Sequence, residues 1–150
     1  MSKRIIVIGY GNPSRSDDGL GWHAAKRLSE EISSSQLEIL TLHQLTPDLA
    51  EPLSRAARVV FIDASVEGEP ATLRFRSVGP GGPPPSAFGH HLTPDTLIAL
   101  SGVLYGRAPE AFAFSVTGVS FDFGDTLSPG VEAVLPLMIE QVRECLEGGP

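Results

Sequence analysis

The sequence predicts an α/β fold: three α/β/α layers around a twisted, five-stranded, mostly parallel sheet, with one edge strand running in the opposite direction. Three observations carry this expectation. Short β-branched runs alternate with helical periodicities in the order β-α-β-α-β-β-α-β-α. The runs at 4–9 and 59–64 are almost wholly apolar, as in strands covered by helices on both faces. The 150 residues suit one domain with its own core and are too few for a (β/α)₈ barrel.

Each element has its own signal. The first strand, 4–9, ends in glycine. A polar loop, 11–18, leads to a helix from Gly19, in which Leu20, Ala24 and Leu28 recur one turn apart. Residues 37–42 alternate leucine and isoleucine with Glu38 and Thr41, the pattern of a second strand. Thr46-Pro47-Asp48 offers a cap and a first-turn proline for a short helix to about Arg55. Residues 59–64 form a third strand that closes on Asp63. The alternation at 71–78 marks a half-exposed edge strand. Gly79-Pro-Gly-Gly-Pro-Pro-Pro85 can join neither helix nor ladder and reads as a loop. Thr93-Pro94-Asp95 opens a helix that Gly106 stops. Residues 111–117 make the fifth strand. Ser128-Pro129 starts the last helix, with Val131, Leu135, Met138 and Val142 on one stripe and a kink expected at Pro136.

Composition narrows the function. The chain has 11 basic and 18 acidic residues, a net charge of −7, and no basic cluster. Nucleic acids and anionic membrane surfaces are therefore not expected partners. The single cysteine, Cys145, excludes an intramolecular disulfide and a CxxC metal knuckle, and reads as a packing residue. The start, MSKRIIVIG, lacks a signal peptide's apolar stretch, and no apolar run is long enough to span a bilayer, so a cytoplasmic protein is expected.

Ligands of open α/β sheets bind beyond the carboxyl ends of the strands, where strand order reverses. Three features fall at such ends: Gly9-Tyr10-Gly11-Asn12 with Asp17-Asp18-Gly19, then Asp63, then Gly89-His90-His91. A dinucleotide fingerprint would need GxGxxG running directly into a helix, but Ser14 takes the third glycine's place and two carboxylates stand where phosphate would bind. Asp17 suits a helix cap, whose loss costs about 0.5–2 kcal/mol. An adjacent Asp18 adds repulsion that a cation would relieve, and a carboxylate ending an apolar strand needs a partner. Two carboxylates with a histidine suit a borderline divalent cation such as zinc or nickel. Asn12 either ties its loop together or touches substrate. Trp22 reads as packing at the rim. No GxSxG elbow is present, so serine catalysis is not expected.

GYGNPSRSDDGLG, VVFIDAS and HHLTPDTLIAL, in this order and spacing, resemble the hydrogenase maturation endopeptidases. The first segment follows that family's G-x-G-N-xxxx-D-[DE]-x-x-G opening, and the likeness extends over nearly the whole chain. The resemblance implies a hydrolase that removes the C-terminal extension of a nickel–iron hydrogenase large-subunit precursor after nickel insertion. It further implies Asp18, Asp63 and His90 as catalytic residues and as ligands to the substrate's nickel, with His91 in the neighbouring place. Asn12, Asp17 and His91 are candidate substrate contacts. No permanently bound cofactor is implied, although zinc or cadmium would suit such a site. Recognition would be gated by the metal, because Asp18 and Asp63 would otherwise face each other uncompensated. A carboxylate-activated water and a metal-polarised carbonyl both remain open as cleavage chemistry. Two other readings stand beside the peptidase: a non-catalytic metal-sensing or chaperone-like member of the same fold, and a small-molecule or nucleotide-binding α/β domain.

Overall fold

The computed structural model describes residues 4–79 and 92–148. Five strands, β1 (Ile5–Tyr10), β2 (Leu37–Leu42), β3 (Arg58–Ser65), β4 (Leu73–Val78) and β5 (Glu110–Thr117), form one sheet in the order β2-β1-β3-β5-β4. The first four strands in that order run parallel, and edge strand β4 is antiparallel to β5. Among the described residues the α-helices are α1 (Leu20–Glu31), α2 (Ala50–Ser54), α3 (Pro94–Tyr105) and α4 (Pro129–Leu146). The expected layers, strand number and edge-strand direction are all present.

Side-chain alternation sorts the core into two halves. Val7, Val60, Ile62, Phe112 and Phe114 project to one face, where Leu20, Ala24 and Leu28 of α1 and Val131, Leu135 and Met138 of α4 cover them. Ile8, Val59, Phe61, Ala111 and Ala113 project to the other, beneath Ala50 and Leu53 of α2 and Leu97 and Ile98 of α3. Phe61 and Phe114 are among the largest fully buried side chains, and each such residue contributes about 1.5–3 kcal/mol by leaving water.

Local chemistry sets the element ends. The Thr93 hydroxyl accepts the Thr96 N–H at 3.1 Å and caps α3, with Pro94 in the first turn. Gly106, at φ 71°, closes the same helix in the left-handed conformation. Ahead of α2, Pro47–Leu49 forms a single 3₁₀ turn, so the expected short helix is split in two. The edge strand begins at Leu73 and not at Ala71, whose φ of 61° is incompatible with an extended ladder. The last helix continues unbroken across Pro136. Pro136 and Glu132 both lie on its exposed side, so the carbonyl left without an N–H partner faces water.

Glycine is required where β1 meets α1. A Cβ on Gly9 would stand 2.0 Å from the Gly21 carbonyl oxygen, and one on Gly21 would stand 2.6 Å from the Tyr10 nitrogen. This close approach pins the start of α1 against the carboxyl end of β1 and so fixes the loop between them. No helix among the described residues is long and apolar enough to cross a membrane.

Candidate active site

From β1 the chain passes to β2 on one side of the sheet, and β3 then lies on the other side of β1. The carboxyl ends of β1 and β3 therefore flank the topological switch point, where such sheets bind ligands. The last paired residues of these two strands are Gly9 and Ile62, which places Asp63 one step further on, beside Tyr10. β3 itself continues two residues past Asp63 to Ser65, so this carboxylate is embedded in the ladder opposite Ser115 and does not terminate the strand. By alternation Asp63 shares the face of Phe61, toward α2 and α3.

Asp63 is partly buried, and its carboxyl is pushed up to about 7. Burial is the largest cause; a hydrogen bond with Tyr10 and the charge of Arg76 pull the other way, and the charge of Asp18 adds a smaller upward push. The repulsion between Asp18 and Asp63 expected from sequence is thus the least of these effects, and desolvation dominates. Burial first, and Asp63 second, in turn push the Tyr10 hydroxyl well above its ordinary value. Tyr10 therefore stays a proton donor to Asp63 at neutral pH.

Asp18 lies in a 3₁₀ turn, Ser16–Gly19, that leads directly into α1. Its Oδ2 accepts the Asn12 N–H at 2.9 Å, and among the described residues its Oδ1 accepts none. Gly11 takes φ 136°, and a Cβ there would come within 2.2 Å of the Asp18 carbonyl oxygen. The glycine is what lets the loop fold back far enough to present Asp18. Asn12 holds this turn: its side-chain oxygen accepts the Ser14 N–H at 2.9 Å.

Asp17 points away from its neighbour and is fully buried. Its Oδ2 accepts the N–H groups of Val119 and Ser120 at 2.7 and 3.0 Å and the Ser128 hydroxyl at 2.7 Å, while Oδ1 accepts the Ser128 N–H at 2.8 Å. Burial would raise this carboxyl, but the bonds from Ser120, Ser128 and Val119 outweigh it and hold it below the ordinary aspartate value. The expected cap on its own helix is absent. Asp17 instead clasps the loop after β5 and the first turn of α4, and with every bond satisfied in the interior it is not placed to meet a substrate. Ser128, the expected cap of α4, has no capping bond because its hydroxyl is given to Asp17. Backbone bonds complete the clasp: Ser16 N–H to Gly124 O at 2.8 Å and Gly124 N–H to Ser14 O at 3.0 Å.

Trp22 fastens the other flank. Its indole N–H is shared between the Gly11 and Leu42 carbonyl oxygens, at 3.0 and 3.1 Å, and its ring meets His43 edge-on. It supports the loop, as a rim residue would. Cys145 is 2% exposed, and burial raises its thiol above the ordinary value, so it is a poor nucleophile. In the native protein a thiol reagent should label it at least about 100-fold more slowly than in urea, because labelling requires local opening. Labelling at the unfolded rate would contradict this packing role.

Sequence reasoning missed Tyr10, Arg76 and Asp95. Arg76, on β4, donates from Nη1 to both carboxylate oxygens of Asp95, at 2.7 and 2.9 Å, and Asp95 is buried in the first turn of α3. Asp95 had the look of an ordinary helix-start carboxylate, and Arg76 of the solvent side of an alternating strand. Only the sheet order brings the charge of Arg76 to bear on Asp63, and those of both Arg76 and Asp95 on Tyr10. His90, His91 and the 80–85 part of the glycine–proline loop lie outside the described residues. Among the described residues no three histidine, cysteine or acidic side chains are grouped closely enough to hold a metal ion.

No protein-family model matches the chain, and no curated protein sequence matches it. Solved structures do. The [NiFe] hydrogenase maturation protease HycI from Thermococcus kodakarensis superposes with a TM-score of 0.76 at 21% identity, over 97% of this chain and 93% of that one. The hydrogenase maturating endopeptidase HybD from E. coli gives 0.74 at 24% identity, again over 97% and 93%. A hydrogenase 2 maturation peptidase from a Thaumarchaeota archaeon gives 0.72 at 23% identity, over 97% and 99%. Across nearly its whole length, the chain has the fold of the hydrogenase maturation proteases.

Proposed function

We propose that this protein is an endopeptidase that trims the C-terminal extension from a nickel–iron hydrogenase large-subunit precursor, and that it recognises the nickel the precursor carries. The observation that supports this most directly is the pair Asp18 and Asp63 at the switch point of a fold shared with maturation proteases. Asp18 is offered by a glycine-dependent loop with one carboxylate oxygen unbonded among the described residues, and Asp63 by an interior strand. His90 would supply the third ligand from the segment that enters α3, and His91 is its alternate.

Proton affinity gives the gating a physical basis. With no metal present, Asp63 holds a proton up to about neutral pH. Carboxylate ligands bind metal deprotonated, so an arriving nickel ion displaces that proton, and coordination offsets the cost of ionising a buried carboxylate. Precursor without nickel makes no such exchange. For cleavage, water adds to the scissile carbonyl, a carboxylate takes its proton, and that proton passes to the departing amine.

Mixing the protein with nickel-loaded and nickel-free precursor tests the proposal by the mass of the large subunit. The expected result is shortening of the loaded form alone, with a loss of at least about 100-fold in rate for Asp18→Ala, Asp63→Ala and His90→Ala. Equal shortening of both precursors would remove the gating. Tight binding without cleavage would favour the chaperone-like reading, and nucleotide binding indifferent to Asp18→Ala would favour the small-molecule domain.

A further inference from the structure

Arg76 differs from the other paired arginines in the company it keeps. Its carboxylate partner, Asp95, is 3% exposed, while Arg76 itself is 45% exposed. The pairing uses Nη1 alone, so Nε and Nη2 remain as donors, and among the described residues neither has a hydrogen-bond partner. Arg76 pairs with Ala113, which pairs with Phe61, so all three share the face of Asp63 and Tyr10. Its charge acts on both Tyr10 and Asp63, and no other basic group among the described residues does so.

A purely structural staple does not explain this arrangement well. A half-exposed arginine pair adds little to folding stability, and desolvating Asp95 works against even that. An apolar pair would join β4 to α3 at lower cost. A guanidinium fixed on one nitrogen and open on the others is instead suited to an oxygen that becomes negative during a reaction.

We propose that Arg76 is a catalytic residue whose remaining N–H donors receive the carbonyl oxygen of the peptide bond to be cut, and that Asp95 is its positioning residue. This rests on the peptidase reading above. When water adds to the carbonyl carbon, the C=O π pair moves onto oxygen and the water proton passes to a carboxylate. Arg76 balances the charge gathered on that oxygen. As the oxygen pair re-forms C=O, the C–N bond breaks and its electrons leave with the amine, which takes the proton back. Arg76 changes no covalent bond in this sequence. Because it interacts more strongly with the oxyanion than with the neutral carbonyl, it acts on kcat more than on KM.

The test is steady-state processing of nickel-loaded precursor by the intact protein and its variants. Arg76→Ala should lower kcat by about 100-fold with KM changed less than about 3-fold. Arg76→Lys should recover part of the loss, and added guanidinium ion should partly restore Arg76→Ala. Asp95→Asn, which keeps the arginine but loosens its anchor, should fall between wild type and Arg76→Ala. Wild-type kcat in Arg76→Ala would overturn the proposal and leave the peptidase reading standing. So would a slow Arg76→Ala that neither lysine nor guanidinium restores, since that marks a fold-stapling pair. Failure of wild type to shorten the precursor would overturn both.

Discussion

Asp17→Ala is expected to lower folding stability by about 3–5 kcal/mol, well beyond the loss of a helix cap. The substitution leaves the N–H groups of Val119, Ser120 and Ser128 and the Ser128 hydroxyl without their acceptor. Each buried donor left unpaired costs about 1–3 kcal/mol, less whatever water recovers at the rim. The pH dependence has a definite sign. Hydrogen bonding lowers the native-state value of Asp17, so its contribution is complete above the unfolded value and is lost as pH falls through the lower native one. Urea unfolding at pH 7 and at pH 3 reads both effects. The gap between wild type and Asp17→Asn should narrow at the acid pH, and a pH 7 loss below about 1 kcal/mol would return Asp17 to the role of a simple cap.

The catalytic consequence of that substitution is indirect. Asp17 anchors the loop after β5 against the turn that carries Asp18, so its removal frees the backbone that aims Asp18. Processing should fall along with stability, and lowering the temperature should recover part of it. Asp18→Ala should behave in the opposite manner, with cleavage lost and stability little changed, because Asp18 accepts one hydrogen bond and is partly open to solvent. Adjacent carboxylates thus separate into a structural and a presenting one.

Sequence pattern carried the fold and part of the site. β-Branched runs and the caps at Thr93 and Gly106 are local signals, and the structure repeats them within a residue or two; β4 forms inside the stretch that alternates, but its burial does not alternate. The division of labour between Asp17 and Asp18 was not local. Both carboxylates suit a helix start, and only the return of the loop after β5 across the sheet decides which one is buried. The Arg76–Asp95 pair was hidden for the same reason: its members are nineteen residues apart, and the antiparallel addition of β4 beside β5 brings them together. Tyr10 was visible only as the middle of Gly-Tyr-Gly. Its role follows from register, since the β1–β3 pairing ends at Gly9 and Ile62 and leaves Tyr10 level with Asp63.

Asp63→Asn should abolish processing and stabilise the protein at neutral and alkaline pH. Burial raises the native-state value of Asp63 to about 7, against about 3.9 in an unfolded chain. Between those values the native state binds a proton that the unfolded state has released, so stability falls as pH rises from about 4 to 7 and then levels off. Asparagine is neutral throughout and still offers Tyr10 a carbonyl oxygen. It therefore escapes that decline while losing the carboxylate that would meet the metal and accept a proton. At pH 8 the variant should melt at least about 5 °C above wild type, and at about pH 3.5, where Asp63 is neutral in the native state and mostly neutral in the unfolded chain, the two should nearly coincide. Thermal unfolding at the two pH values reads the stability, and the nickel-loaded precursor assay reads the activity. Equal melting temperatures at pH 8 would mean that Asp63 is not held in a desolvated position. Retained cleavage by Asp63→Asn would remove its charge from the mechanism.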